Sequence, residues 1–131
     1  MKKAITAIIC FFALTSFAQT NKNLTVTKIK NFLDHYSTMP GTSNTGKNTI
    51  VYYNRVDKIL DIDNIKIPLL EVKTTYFFIK ESEDHCVSFD CKESKECIIG
   101  QDEENILGFM APFKTKKQCY DFISLIDELK R

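Results

Sequence analysis

Few residues in this chain have the type and spacing that chemistry requires. There are two histidines, His35 and His85, fifty positions apart. His35 follows Asp34, but neighbours on a helix point about 100° apart, so adjacency does not make them an acid–base dyad. Catalysis there would also need a nucleophile aimed at the imidazole and donors for an oxyanion. No Gly-x-Ser-x-Gly and no glycine-rich phosphate loop occurs among the four glycines. His85 precedes Cys86, and adjacent side chains on a strand face opposite sides of the sheet, so the imidazole cannot readily activate the thiol. Zinc sites draw on close pairs of ligands. Here Cys86, Cys91, Cys97 and Cys119 are separated by four, five and twenty-one residues, with no Cys-x-x-Cys. Asp61-Ile62-Asp63-Asn64 begins like a calcium loop, but Ile65 and Lys66 stand where the third ligand and the glycine belong. That leaves a hairpin turn. The acidic runs 81–84 and 102–104 read as solvated loop tips. No residue is therefore assigned a catalytic, cofactor-binding or metal-ligating role, no cofactor is expected, and the chain is read as a non-enzyme.

The cysteines can instead cross-link. The chain opens MKKAITAIICFFALTSFAQ, with Lys2 and Lys3 before an apolar run too short to span a bilayer comfortably. Ser16-Phe17-Ala18 then presents small residues where a signal peptidase reads. Residues 1–18 are thus expected to be a bacterial secretory signal peptide, with Gln19 as the mature N-terminus and the protein periplasmic or extracellular. Cys10 leaves with this segment, and four cysteines in a small exported domain form a disulfide framework. Cys91 and Cys97 flank a turn at 92–95, so a hairpin would bring them side by side. Cys86 is then left to reach Cys119, or both stay reduced. Cys86 and Cys91 face opposite sides of one strand, so only one can look toward the final helix, and Cys91–Cys119 is the rival pairing.

Removing residues 1–18 turns the net charge from +1 to −1. That balance disfavours nucleic acid, whose phosphates call for a basic surface, and electrostatic docking on anionic lipid. No later segment is long and apolar enough to be a membrane-spanning helix.

The elements that must position these residues form one α+β domain over 19–131. Val26, Ile29, Leu33 and Tyr36, with Phe32 beside them, predict a leading helix over 24–39, capped by Thr25 and ended by Pro40-Gly41. Residues 42–48 are a polar loop. From 49 to 111 the period changes to two, and seven short strands are predicted, at 49–55, 56–60, 65–67, 73–80, 85–91, 96–99 and 105–111. Pro68 confines the third to an edge or an end, and Pro112 breaks the last. Cys119, Phe122, Ile123, Ile126 and Leu129 share one face of a closing helix over 115–129. Thr115 and Gln118 match a capping box at its start.

This order, a meander and then one closing helix, together with the run Ile67-Pro68-Leu69…Val72, resembles the pleckstrin-homology-like fold over about residues 49–129. The resemblance implies an antiparallel sheet or partial barrel whose open end the helix plugs. The tryptophan that many members carry in that helix has no counterpart, since the chain has no Trp. The family's phosphoinositide loop is echoed only by Arg55 and Lys58, so lipid binding is not carried over. A cystatin-like or other helix-on-sheet domain is the rival architecture.

The function expected is an exported binding or interaction module whose partner is an unknown protein or a small apolar ligand. Ten Phe and five Tyr are enough aromatic surface for a groove beside the core, although packing within the core is the simpler use for them. A small periplasmic enzyme with scattered residues, or an inhibitor or immunity-type protein, is the alternative. Export is checked by intact-mass spectrometry of the natively expressed protein, which should begin at Gln19. Recovery of the full-length chain from the cytoplasm would refute it.

Overall fold

The computed structural model describes residues 21–38 and 48–131. The expected signal peptide, Pro40-Gly41 and most of the expected polar loop lie outside them. A helix α1 covers residues 21–36. Eight strands follow: β1 (Val51–Asn54), β2 (Ile59–Ile62), β3 (Ile65–Pro68), β4 (Val72–Ile79), β5 (Asp84–Cys91), β6 (Ile98–Ile99), β7 (Asn105–Ile106) and β8 (Gly108–Phe113). Helix α2 (Lys116–Lys130) comes last. The class is α+β, as expected.

The strands form two antiparallel sheets that are not closed into a barrel: β1-β2-β3-β6-β7 and β4-β5-β8. The expected seventh strand is in fact two. The chain leaves the first sheet after Ile106 and enters the second at Gly108. A Cβ on Gly108 would come within 2.9 Å of Asp90 Oδ1 and 3.2 Å of the Phe89 carbonyl oxygen, so the crossing uses the one residue without a side chain. Alternation over 105–111 cannot reveal this switch, because it reports which face a residue takes and not which neighbour pairs with it. Pro112 does not break the strand either. It sits within β8 opposite Cys86, at the sheet's edge, where a missing N–H is tolerated. Pro68 ends β3 opposite Ile59, although β3 itself is an interior strand between β2 and β6. The turn expected at 61–64 narrows to Asp63 and Asn64, with φ of 50° and 69°. These are the left-handed positions that Asp and Asn tolerate in a two-residue hairpin.

Cys91 and Cys97 are bonded, with Cα atoms 5.8 Å apart. The hairpin expected to bring them together does not exist, because β6 pairs with β3 and β7 and not with β5. The bridge therefore joins the end of one sheet to the beginning of a strand in the other. Cys86 and Cys119 are free and buried. Val87 and Phe89 lie in the core with Cys119, whereas Cys86, opposite Phe77 and Pro112, lies on the other face of β5. The two thiols are on opposite sides of the sheet and cannot bridge.

Helix α1 differs at both expected ends. Thr25 is not its cap: its hydroxyl lies inside the helix and hydrogen-bonds the Asn21 carbonyl at 3.0 Å and Glu128 Oε2 at 3.2 Å. The helix stops at residue 36, before Pro40, because β8 captures the chain. Ser37 bridges to Phe113, and the Thr38 N–H donates to the Pro112 carbonyl at 3.0 Å. Helix α2 begins as expected. The Thr115 hydroxyl accepts from the Gln118 N–H at 3.2 Å, and the returning Gln118 side chain accepts from Lys114 N–H instead of Thr115.

Cys119, Phe122, Ile126 and Leu129 of α2 are fully buried against the inner face of β4-β5-β8, while Ile123 and Leu125 are only partly covered. Phe122 → Ala should cost about 3–5 kcal/mol, a large share of the roughly 5–15 kcal/mol available to a domain. Leu125 → Ala should cost clearly less. Denaturant melts of the two variants check the contrast, and equal losses would mean that the helix is not seated as described.

Candidate binding site

The residues singled out for chemistry are kept apart. Asp34 faces the sheet: its carboxylate accepts from Lys30 Nζ at 2.7 Å and from the Thr49 N–H at 2.7 Å. Burial alone would push this carboxyl up, but the hydrogen bonds from Lys30 and Thr49 outweigh it and hold the group below the ordinary carboxylate range. Asp34 thus ties α1 to the entry of β1. His35 points elsewhere and meets Tyr36 edge to face, 4.5 Å between centroids. His85 bonds the Tyr76 hydroxyl through Nδ1 at 2.8 Å and packs against Phe78, with Cys86 on the opposite face. The Cys119 thiol is pushed up to about 11, first by burial and then by Cys86, so it is no nucleophile near neutral pH.

The acidic runs are structural or solvated. Asp61 Oδ1 accepts from the Asn64 N–H at 2.9 Å and Asp63 Oδ1 from the Ile50 N–H at 2.8 Å, so both fasten the β1–β3 turns. Residues 81–84 and 102–104 sit on hairpins of different sheets. Among the described residues no group of three His, Cys, Asp or Glu side chains could hold a metal ion. No described helix is long and apolar enough to cross a membrane.

What the structure brings together is the seam between the two helices. Tyr36 was expected on the buried stripe of α1, yet the stripe that is buried runs through Thr25, Ile29, Leu33 and Ser37. Tyr36 remains 38% exposed and rests on Phe32, with ring centroids 4.7 Å apart. With Leu125 of α2 and the polar side chains of Lys28, Asn31 and His35, these rings line a hollow of about 480 Å³. This lies within the roughly 300–1,000 Å³ of small-molecule sites.

A second hollow, of about 380 Å³, lies along the same seam toward the end of α2, lined by Lys22, Lys28, Arg131 and Glu128 among others. Lys22 Nζ donates to the carbonyls of Glu128 at 2.7 Å and Leu129 at 2.9 Å, and the Tyr53 hydroxyl donates to Leu129 at 3.1 Å. A cation there suits the partial negative charge of a helix C-terminus. Burial, followed by Lys58, Arg55 and Arg131, lowers the Lys22 pKa. Four cations from three distant segments, α1, the β1–β2 turn and the end of α2, thus share one region. Neither hollow follows from the residues alone. The one hint was that α1 carries more large apolar side chains than one face can bury, and Leu24 is left 52% exposed as well.

No family model, curated protein or solved structure matches this chain, so the geometry of the seam carries the functional reading by itself.

The Asp34 contacts imply a pH dependence. A carboxylate whose pKa is depressed by folding stabilises the fold above its unfolded value of about 3.9, and that contribution is lost as pH falls through the lower folded value. Between about pH 4.5 and 2, wild type should lose stability more steeply than Asp34 → Asn in urea melts. Parallel slopes would mean that the carboxylate is not held as described.

Proposed function

We propose that this chain is an exported, non-enzymatic binding module that takes a small apolar ligand into the hollow between α1 and α2. The observation that carries the reading is the pair of packed rings Phe32 and Tyr36, only partly covered, beside Leu125 in a hollow on the helix seam. Isolated exposed apolar side chains are ordinary on a protein surface. Here they cluster in a shallow depression that Asn31 and His35 also line, and apolar surface with a few polar groups is the lining a ligand site uses. Export draws support from the opening residues and from the Cys91–Cys97 bond, which persists in oxidising compartments. A non-enzymatic role accords with the separation of His35, His85 and the buried thiols, none of which meets, among the described residues, a partner suited to proton transfer onto a nucleophile.

The neutral fluorescent probe N-phenyl-1-naphthylamine tests the site. Its emission should rise and shift to the blue with the folded protein, saturating at micromolar concentrations. Tyr36 → Ser should weaken binding about tenfold, the equivalent of about 1.4 kcal/mol for one lost aromatic wall. No enhancement, or an unchanged affinity in Tyr36 → Ser, would overturn the assignment.

A further inference from the structure

The two hollows along the helix seam are not independent. Lys28 lines both of them. On one side of it stand Phe32, Tyr36 and Leu125, and on the other Lys22 and Arg131. From Lys28 to Tyr36 is eight residues of helix, a span of about 12 Å at 1.5 Å per residue. The walls therefore change along the seam from aromatic to cationic.

The balance of charge in the second hollow is positive. Among the side chains of the described residues, three cations, Lys22, Lys28 and Arg131, face one carboxylate, Glu128. Glu128 is partly engaged, because its Oε2 accepts from the Thr25 hydroxyl at 3.2 Å. Lys22 is engaged as well, on the last carbonyls of α2. The side chains of Lys28 and Arg131 have no ion-pair or hydrogen-bond partner among the described residues. Arg55 and Lys58 lie close enough to destabilise the Lys22 ammonium, so they extend the positive field beyond the hollow's own lining. Among the described residues, the aromatic hollow has no acidic lining residue. A neutral ligand would leave this cationic end unused, and a positively charged one would be repelled by it.

We infer that the seam is a single site for a small amphiphile with an anionic head, of the kind represented by a medium-chain carboxylate. Its apolar body lies against Phe32, Tyr36 and Leu125, and its head lies among Lys28, Arg131 and Lys22. This rests on the reading of the aromatic hollow as a ligand site and adds the charge and the direction of the ligand. Arg131 presents paired N–H donors suited to a carboxylate or sulfate, and Lys28 a mobile point charge. The Lys28 side chain can bend toward the head while its methylene stem covers the start of the apolar body.

The test begins with a comparison of heads on one tail. Decanoate, decyl sulfate, decyl maltoside and decyltrimethylammonium are titrated by calorimetry below their micelle concentrations, and each is also used to displace N-phenyl-1-naphthylamine. The two anions should bind at least tenfold tighter than the cation, with the neutral maltoside between. The advantage should shrink as salt is raised, because it is electrostatic. Lengthening the carboxylate tail from eight to ten carbons should tighten binding, by up to about fourfold per methylene if each is fully covered. In Lys28 → Gln/Arg131 → Gln the ratio of anionic to neutral binding should fall toward one. Equal binding of all heads would leave the aromatic hollow as a ligand site and overturn the anionic assignment. Anion binding that survives the double substitution, or that Tyr36 → Ser does not weaken, would place the ligand elsewhere and overturn it too. Failure of every probe, N-phenyl-1-naphthylamine included, would remove the underlying site as well.

Discussion

The ring of Phe122 is the contact on which the rest of this fold leans. It is fully buried and lies 5.2 Å from Phe113, 6.2 Å from Phe89 and 6.1 Å from Phe32, centroid to centroid. Those partners belong to β8, β5 and α1, so one side chain of α2 fixes the closing helix against the sheet and the leading helix against both. Offset and edge-to-face aromatic contacts add specific geometry to the burial of large apolar area. The hollow at the seam follows from the same packing. Phe32 turns inward to Phe122 and Phe113, and Tyr36, one turn further along α1, is carried out to the surface.

Two sheets of unequal size share the core, and covalent and backbone links keep them together. The Cys91–Cys97 bond crosses from one to the other, closing a short loop that restricts the unfolded chain. Close by, the Cys91 N–H donates to the Leu107 carbonyl at 2.9 Å, at the residue where the chain passes from β7 to β8. The Lys92 N–H donates to Glu71 at 2.9 Å. A small domain buries a modest share of its surface, and such links matter most where the sheet ladder is interrupted. The side chains are also well matched: among the described residues, no buried nitrogen or oxygen of a side chain lacks a hydrogen-bond partner.

Charge at the far end of α2 serves the fold through its backbone contacts. Its last carbonyls would face the interior of the seam unpaired, and Lys22 and Tyr53 satisfy them from α1 and β1. This gathers cations at the helix C-terminus, where they favour the macrodipole. Those engaged with backbone oxygens serve the fold. Lys28 and Arg131 do not, and they give the seam its polarity.

Sequence by itself determined the elements whose cause is local. The face Cys119–Phe122–Ile126–Leu129, the Thr115 cap and the α+β class were legible because helical period, strand alternation and capping chemistry act within a few residues. The opposite facing of His85 and Cys86 was legible for the same reason. The Cys91–Cys97 pair forms without the hairpin that its spacing suggests, since proximity in the chain brings the cysteines together whichever strand β6 joins. Tertiary structure decided what depends on partners distant in sequence. It assigned β6 and β7 to a different sheet from β5 and β8, stopped α1 at the edge of β8, and moved Tyr36 from the core to the seam. It also brought Lys22 of α1 and Arg131 at the end of α2 to the turn that carries Arg55 and Lys58, three segments that no spacing connects. Periodicity states which face of an element is apolar, but the packing of one element on another decides how much of that face is covered. The candidate site lies in the part left uncovered.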